Sequence, residues 1–234
     1  MSTIERDEDV ADSIGRAFLA QLVASPEGRA HLLSISVDAE EGDEGDLFGQ
    51  LAEFVEDPKL RRIVERHRDD EVRHALLYRG CLDRLGLEKQ EIPDELKIIR
   101  QIAAATGRSD VSITAPSDVV ATYALLYVIE QRGVERFPRI ADAFRAVDPE
   151  TADVYERVTR DERGHVRYCE TVGSSYAADA VEWQEAVARA RALEEEAFFA
   201  VGLANIAYCA ERGWVQLDAA GLPTAHATSE SAMS

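Results

Sequence analysis

Residues 58–85 read PKLRRIVERHRDDEVRHALLYRGCLDRL, preceded by Asp57 and followed by Gly86. Asp57-Pro58 is a helix start, Gly86 is a helix stop, and the spacing between them predicts one long helix. Along it Leu60, Ile63, His67, Glu71, His74, Tyr78 and Leu85 keep to helical spacing, so Glu71 and His74 interrupt a largely apolar stripe. They belong to Asp70-Glu71-Val72-Arg73-His74, a D-E-x-x-H pattern. Positions i and i+3 share a helix face, so one carboxylate and one imidazole project together and can ligate the same metal ion.

The pattern recurs as Asp161-Glu162-Arg163-Gly164-His165. An aspartate before both glutamates makes a coincidence of composition rare. Val158, Glu162, His165 and Tyr168 again place the polar pair in a core-facing row. Ionised carboxylates there are costly unless they are paired or bound to metal, and bound metal accounts for both motifs. The alternative is an acidic bundle whose histidines are satisfied core groups and whose glutamates lie on solvated faces. His67, one turn before Glu71, reads as a packed or supporting group. Tyr78, Tyr123, Tyr127 and Tyr168 read as core aromatics near the same level.

A dinuclear centre in a four-helix bundle needs one further carboxylate from each remaining helix, at the same depth. In the segment 117–147 only Glu130 falls in the apolar row Tyr123, Tyr127, Glu130, Val134, Phe137, and Glu135 points away by about 140°. In the segment 27–55 the row Val37, Glu41, Glu44, Phe48, Leu51, Val55 offers two carboxylates, with Glu40 at its margin. Glu41 matches the height of Glu130 best, and Glu44 would sit about 4.5 Å off that level at about 1.5 Å per residue. The expected metal ligands are therefore Glu41, Glu71, His74, Glu130, Glu162 and His165, with Glu44 as an alternate.

The rest of the chain fits this frame. Apolar residues recur at three- and four-residue steps and no stretch alternates as a strand, so the expected class is all-α. A first helix over about 9–24 ends before Ser25-Pro26, and a second over about 27–55 forms a hairpin with 58–85. Residues 86–116, with a short amphipathic segment at 94–105, read as a crossover. Ser117-Asp118 starts the next long helix, Asp148-Pro149 opens its partner, and a last helix over 181–212 stops at Gly213. Two hairpins joined by a long crossover are a known bundle topology. Residues 1–216 are expected to form one domain and 217–234 a flexible tail.

A net charge of −19 opposes binding to nucleic acid or anionic membranes. No apolar run approaches the roughly 20 residues that span a bilayer, and the start MSTIERDEDV is acidic, so a cytoplasmic location is expected. Cys81, Cys169 and Cys209 form no C-x-x-C pair, which removes a zinc ribbon or a rubredoxin-type iron centre and leaves buried thiols as the reading.

With this ligand set the sequence resembles the ferritin-like di-iron carboxylate superfamily, over roughly residues 37–172. That superfamily includes ribonucleotide reductase small subunits, bacterial multicomponent monooxygenases, rubrerythrins and aldehyde-deformylating oxygenases. The resemblance implies a ferritin-like antiparallel four-helix bundle with additional N- and C-terminal helices. It implies two iron ions, or a manganese–iron pair, with dioxygen as co-substrate. It lends Asp70 and Asp161 the role of hydrogen-bonding metal-bound histidines, with Arg73 in the same pattern. The segments IEQRGVERFP and RDERGHV also look like a bacterial group related to tRNA-modifying hydroxylases, although this chain's acidity argues against a tRNA substrate. Gly42, Gly45 and Pro138 depart from ideal helix and imply local bulges near the metals.

The activity implied is an oxygen-dependent oxidation of a small organic substrate, with electrons from an external reductase or ferredoxin, since no flavin or iron–sulfur motif is present. A homodimer is among the assemblies the resemblance allows. The alternatives are a rubrerythrin-like peroxide-reducing protein and a non-catalytic iron-binding or storage protein.

Overall fold

The computed structural model describes residues 3–42, 46–106 and 112–224, with side chains from residue 12 on. It is all-helical: α1 (Thr3–Ala24), α2 (Pro26–Glu41), α3 (Leu47–Phe54), α4 (Pro58–Leu85), α5 (Ile98–Thr106), α6 (Pro116–Arg145), α7 (Pro149–Tyr176) and α8 (Ala180–Glu211). Among the described residues the only β pairing is an isolated bridge between Leu217 and Pro223. No helix among them is long and apolar enough to cross a membrane.

Local chemistry sets the boundaries. The Ser25 hydroxyl accepts from the Gly28 amide and Pro26 fills the first turn of α2. Gly28 lies so close to the Leu22 carbonyl that a side chain there would collide with it. Asp57 accepts from the amides of Lys59 and Leu60 at 2.6 and 3.3 Å to start α4, and Gly86 ends it at φ 64°. The Asp118 carboxylate accepts from the Ala115 amide at 2.9 Å at the start of α6. Pro138 is accommodated within an α6 that stays helical throughout.

The segment expected as one helix over 27–55 is two. It breaks after Glu41, where Gly42 takes φ 63° and its amide donates back to the Asp38 carbonyl. A glycine at positive φ with extended ψ at that point ends the α-helical register, and α3 starts afresh from the Asp46 cap. Gly45 lies outside the described residues.

Contacts fix the directions of the four long elements. From Arg84–Asp148 through Tyr78–Tyr155 and Arg73–Asp161 to Asp70–His165, residue numbers fall along α4 as they rise along α7. The two helices are antiparallel. α6 and α7 pair in the same way, from Arg145–Asp153 near their connection to Tyr123–Gly173 at the far end. α2 packs along α4, with Glu41 on Arg79 and the Ser34 hydroxyl accepting from the Gln90 amide. α8 lies on α6, where Arg132 donates twice, at 2.9 and 2.8 Å, to the fully buried Glu194.

Two apolar clusters fill this assembly, one around Leu33, Val37, Tyr78, Phe144 and Tyr155, the other around Leu51, Val55, Val64, Tyr123 and Val172. On α4, α6 and α7 alike, the polar motif residues fall between the stretches that feed these clusters. The site is therefore a polar layer between two apolar ones.

Part of the expected tail is fastened. The Gln21 amide group donates to the carbonyls of Gln216 and Thr224, and its oxygen accepts from the Gln216 amide. Residues 225–234 lie outside the described residues.

At the α6–α7 connection Asp148 accepts from Arg84 at 2.9 and 2.5 Å, and this pairing holds its carboxyl below the usual range. A depressed carboxyl stabilises the fold above its unfolded value of about 4 and loses that contribution as pH falls toward the folded value. Asp148→Asn is expected to cost about 1–2 kcal/mol at pH 7, with Arg84 only partly buried, and to flatten the acid limb of the stability curve. Thermal melts at pH 7 and pH 3.5 check both parts.

Candidate metal centre

α4 supplies Glu71 and His74, α7 supplies Glu162 and His165, and α6 supplies Glu130, so five of the six residues expected from sequence come together. The fourth carboxylate is Glu40 of α2. His74 and His165 have no exposure, Glu162 is 2 % exposed and Glu130 8 %. The Glu40 side chain is 6 % exposed.

Each histidine turns Nδ1 into the carboxylates. His165 Nδ1 lies 2.8 Å from Glu162 and 3.0 Å from Glu71. His74 Nδ1 lies 3.4 Å from both Glu40 and Glu162. The Nε2 edges point the other way and cross between helices: His165 meets Asp70, and His74 meets Asp161, each at 3.4 Å. Arg73 joins the two aspartates, reaching Asp70 at 2.8 Å and Asp161 at 2.9 Å. The second motif has Gly164 where the first has Arg73, so one guanidinium serves both aspartates.

Glu41 is not in the cluster. It lies on the outer side of α2, where Arg79 donates to it at 2.6 Å. Two physical facts explain the one-residue difference. The row through Glu44, Phe48, Leu51 and Val55 is not continuous with α2, because Gly42 breaks the helix. α2 is also buried on several faces at once, from Ala30 through His31, Leu32, Leu33, Ser34, Ser36 and Val37, so amphipathicity does not single out the face toward α4 and α7. Glu44 lies outside the described residues.

His67 is fully buried in the same layer, with Nε2 3.0 Å from Glu130 and 3.2 Å from Glu71. Its spacing, one turn before Glu71, was the signal available in the sequence. Tyr78 and Tyr123 are buried core residues whose hydroxyls have no hydrogen-bond partner among the described residues.

Charge is divided unevenly. Burial, then the charge of Glu71, pushes Glu40 well above the usual carboxyl range. Burial, then Glu130, does the same to Glu162. Burial pulls Glu71 and Glu130 upward too, but their imidazole and carboxyl partners outweigh it, holding Glu71 well below the range and Glu130 at about 2. Burial lowers His74, which favours the neutral imidazole a metal requires. Without metal the layer thus shares protons to stay near neutrality.

The donor set fits a pair of ions. Ligands about 2.1 Å from one ion and at right angles to each other lie about 3 Å apart. The His165–Glu162 and His165–Glu71 separations have that size. Ligating atoms of Glu71, His74, Glu162 and His165 all lie within 4.8 Å of one another. Among the described residues Glu71 Oε1 has no well-aligned hydrogen bond despite two nearby imidazole nitrogens, and His74 Nδ1 also lacks a partner. Such orphaned buried atoms are costly, and an ion at their common focus satisfies them.

The Asp–Arg–Asp bridge orients both histidines. Arg73→Met keeps the aliphatic stem and removes the guanidinium, and it is expected to weaken metal binding about 10–100-fold. A chelator competition titration reads this directly; unchanged affinity would assign Arg73 to the surface alone. Comparison of the chain with protein-family models, curated proteins and solved structures returned no match.

Proposed function

We propose that the chain is a ferritin-like dimetal protein that holds two iron ions and oxidises a small organic substrate with dioxygen. Glu40 and His74 would hold one ion and Glu130 and His165 the other, with Glu71 and Glu162 within reach of both. The observation that carries this reading is the pair of imidazoles: His74 turns Nδ1 to Glu40 and Glu162, and His165 turns Nδ1 to Glu71 and Glu162, while an aspartate from the opposite motif braces each Nε2. Bound iron would supply the electron transfers.

The chain's own residues supply the setting. Asp70, Asp161 and Arg73 fix the rings. The apolar clusters on both sides exclude bulk water, which strengthens every charge interaction in the layer. Two hairpins, α2 with α4 and α6 with α7, joined through residues 86–115, support the ferritin-like assignment. A histidine for each ion favours oxygen chemistry over storage, since ferritin ferroxidase centres usually keep one E-x-x-H. Electrons would come from an external reductase or ferredoxin. The net charge of −19 weighs against a nucleic-acid substrate.

The test is metal content and oxidant preference. Iron-reconstituted protein should hold close to two ions per chain and, once reduced, should consume dioxygen faster than peroxide. One zinc per chain, or no iron after reconstitution, sinks the dimetal reading. Preference for peroxide would replace the oxygenase with a peroxide-reducing protein, and iron uptake without turnover would leave storage.

A further inference from the structure

We propose that His67 is a third nitrogen ligand, binding through Nε2 the ion held by Glu130 and His165, so that the two metal positions are unequal. The proposal rests on the dimetal reading and adds to it a residue outside both D-E-x-x-H motifs. His67 lies four residues before Glu71 on α4 and therefore shares its face. It has no exposure.

Its Nε2 stands 3.0 Å from Glu130 Oε1 and 3.2 Å from Glu71 Oε1, the separation of neighbouring ligands around one ion at about 2.1 Å. Atoms of His67, Glu71, Glu130 and His165 all fall within 4.8 Å of one another. A histidine acting only as hydrogen-bond donor has one N–H to give at that edge. It donates to Glu130, and Glu71 Oε1, 3.2 Å away, has no well-aligned hydrogen bond among the described residues. One ion in contact with both carboxylates and both imidazoles satisfies all four groups.

The ring is positioned for this. Its centroid is 4.2 Å from that of His165 and 4.8 Å from that of Phe48, so it is packed between two tilted rings. Nδ1 has no hydrogen-bond partner among the described residues, which leaves the polar function of the side chain at the site. Among the described residues no equivalent imidazole stands beside Glu40 and His74. The position next to His165 is thus the richer in nitrogen, and it should fill first.

The experiment compares wild type, His67→Gln and His67→Phe, each loaded with manganese(II), by ion count and by nitrogen couplings in pulsed electron paramagnetic resonance. Wild type should show three coupled histidine nitrogens and both variants two, with at least a tenfold loss of affinity for one ion. Gln retains an N–H donor, so recovery of wild-type affinity in His67→Gln would overturn the ligand role in favour of hydrogen bonding, as would unchanged nitrogen couplings in either variant. Circular dichroism establishes that the variants fold; if Phe does not, Gln alone decides. The wild-type ion count tests the dimetal reading separately: with one ion bound, loss of a nitrogen coupling on replacing His67 still supports the ligand role, and with none the proposal fails.

Discussion

Glu71→Ala is expected to abolish binding of both ions while leaving the helices in place. Glu71 is, with Glu162, one of the two carboxylates that touch both halves of the site, with Oε1 at 3.0 Å from His165 and Glu40 close enough to hydrogen-bond with it. A residue serving one ion should cost one ion when removed; a shared residue should cost the pair. The fold has independent support, because Val64 on one side of the layer and Tyr78 and Leu82 on the other stay anchored in the two apolar clusters. Removing a carboxylate from a crowded acidic layer also relieves repulsion with its neighbours. Metal analysis after reconstitution, with far-ultraviolet circular dichroism on the same sample, reads both halves of the expectation. Retention of two ions would show that Glu71 is not shared, and loss of helicity would make it a structural residue.

The second large effect separates neighbours on α2. Glu40→Ala is expected to reduce the bound metal from two ions to one, because it removes the carboxylate that faces His74. Glu41→Ala is expected to keep two ions and to change stability by less than about 1 kcal/mol, as suits a partly exposed ion pair with Arg79. The contrast depends only on the direction in which α2 presents its last turn. If Glu41→Ala loses an ion and Glu40→Ala does not, α2 is rotated from the orientation that faces Glu40 to His74, and the ligand at this corner is the one expected from the extended helical row.

The readable part of the site was the part written within single helices. Glu71 with His74, and Glu162 with His165, are pairs whose geometry follows from three-residue spacing on any helix, and Glu130 was the one acid in an otherwise apolar row. α4 begins and ends where Asp57-Pro58 and Gly86 place its limits, and the turn at Asp148-Pro149 likewise depends on local chemistry. The exception on α2 has a local origin with a non-local result. Gly42 is visible in the sequence, but whether a glycine is passed over as a helical residue or taken as a stop at positive φ depends on what the following segment packs against.

By itself, then, the sequence determined an all-helical chain and two inward-facing D-E-x-x-H units, because helical period and capping are properties of neighbouring residues. Only the tertiary structure decided that Glu40 rather than Glu41 joins them, that each aspartate braces the histidine of the opposite motif, that one Arg73 serves both, and that His67 stands between Glu71 and Glu130. These are distances between helices, and they depend on how each helix is rotated and shifted against its neighbours. A chain buried on several faces, as α2 is, carries no amphipathic record of that rotation.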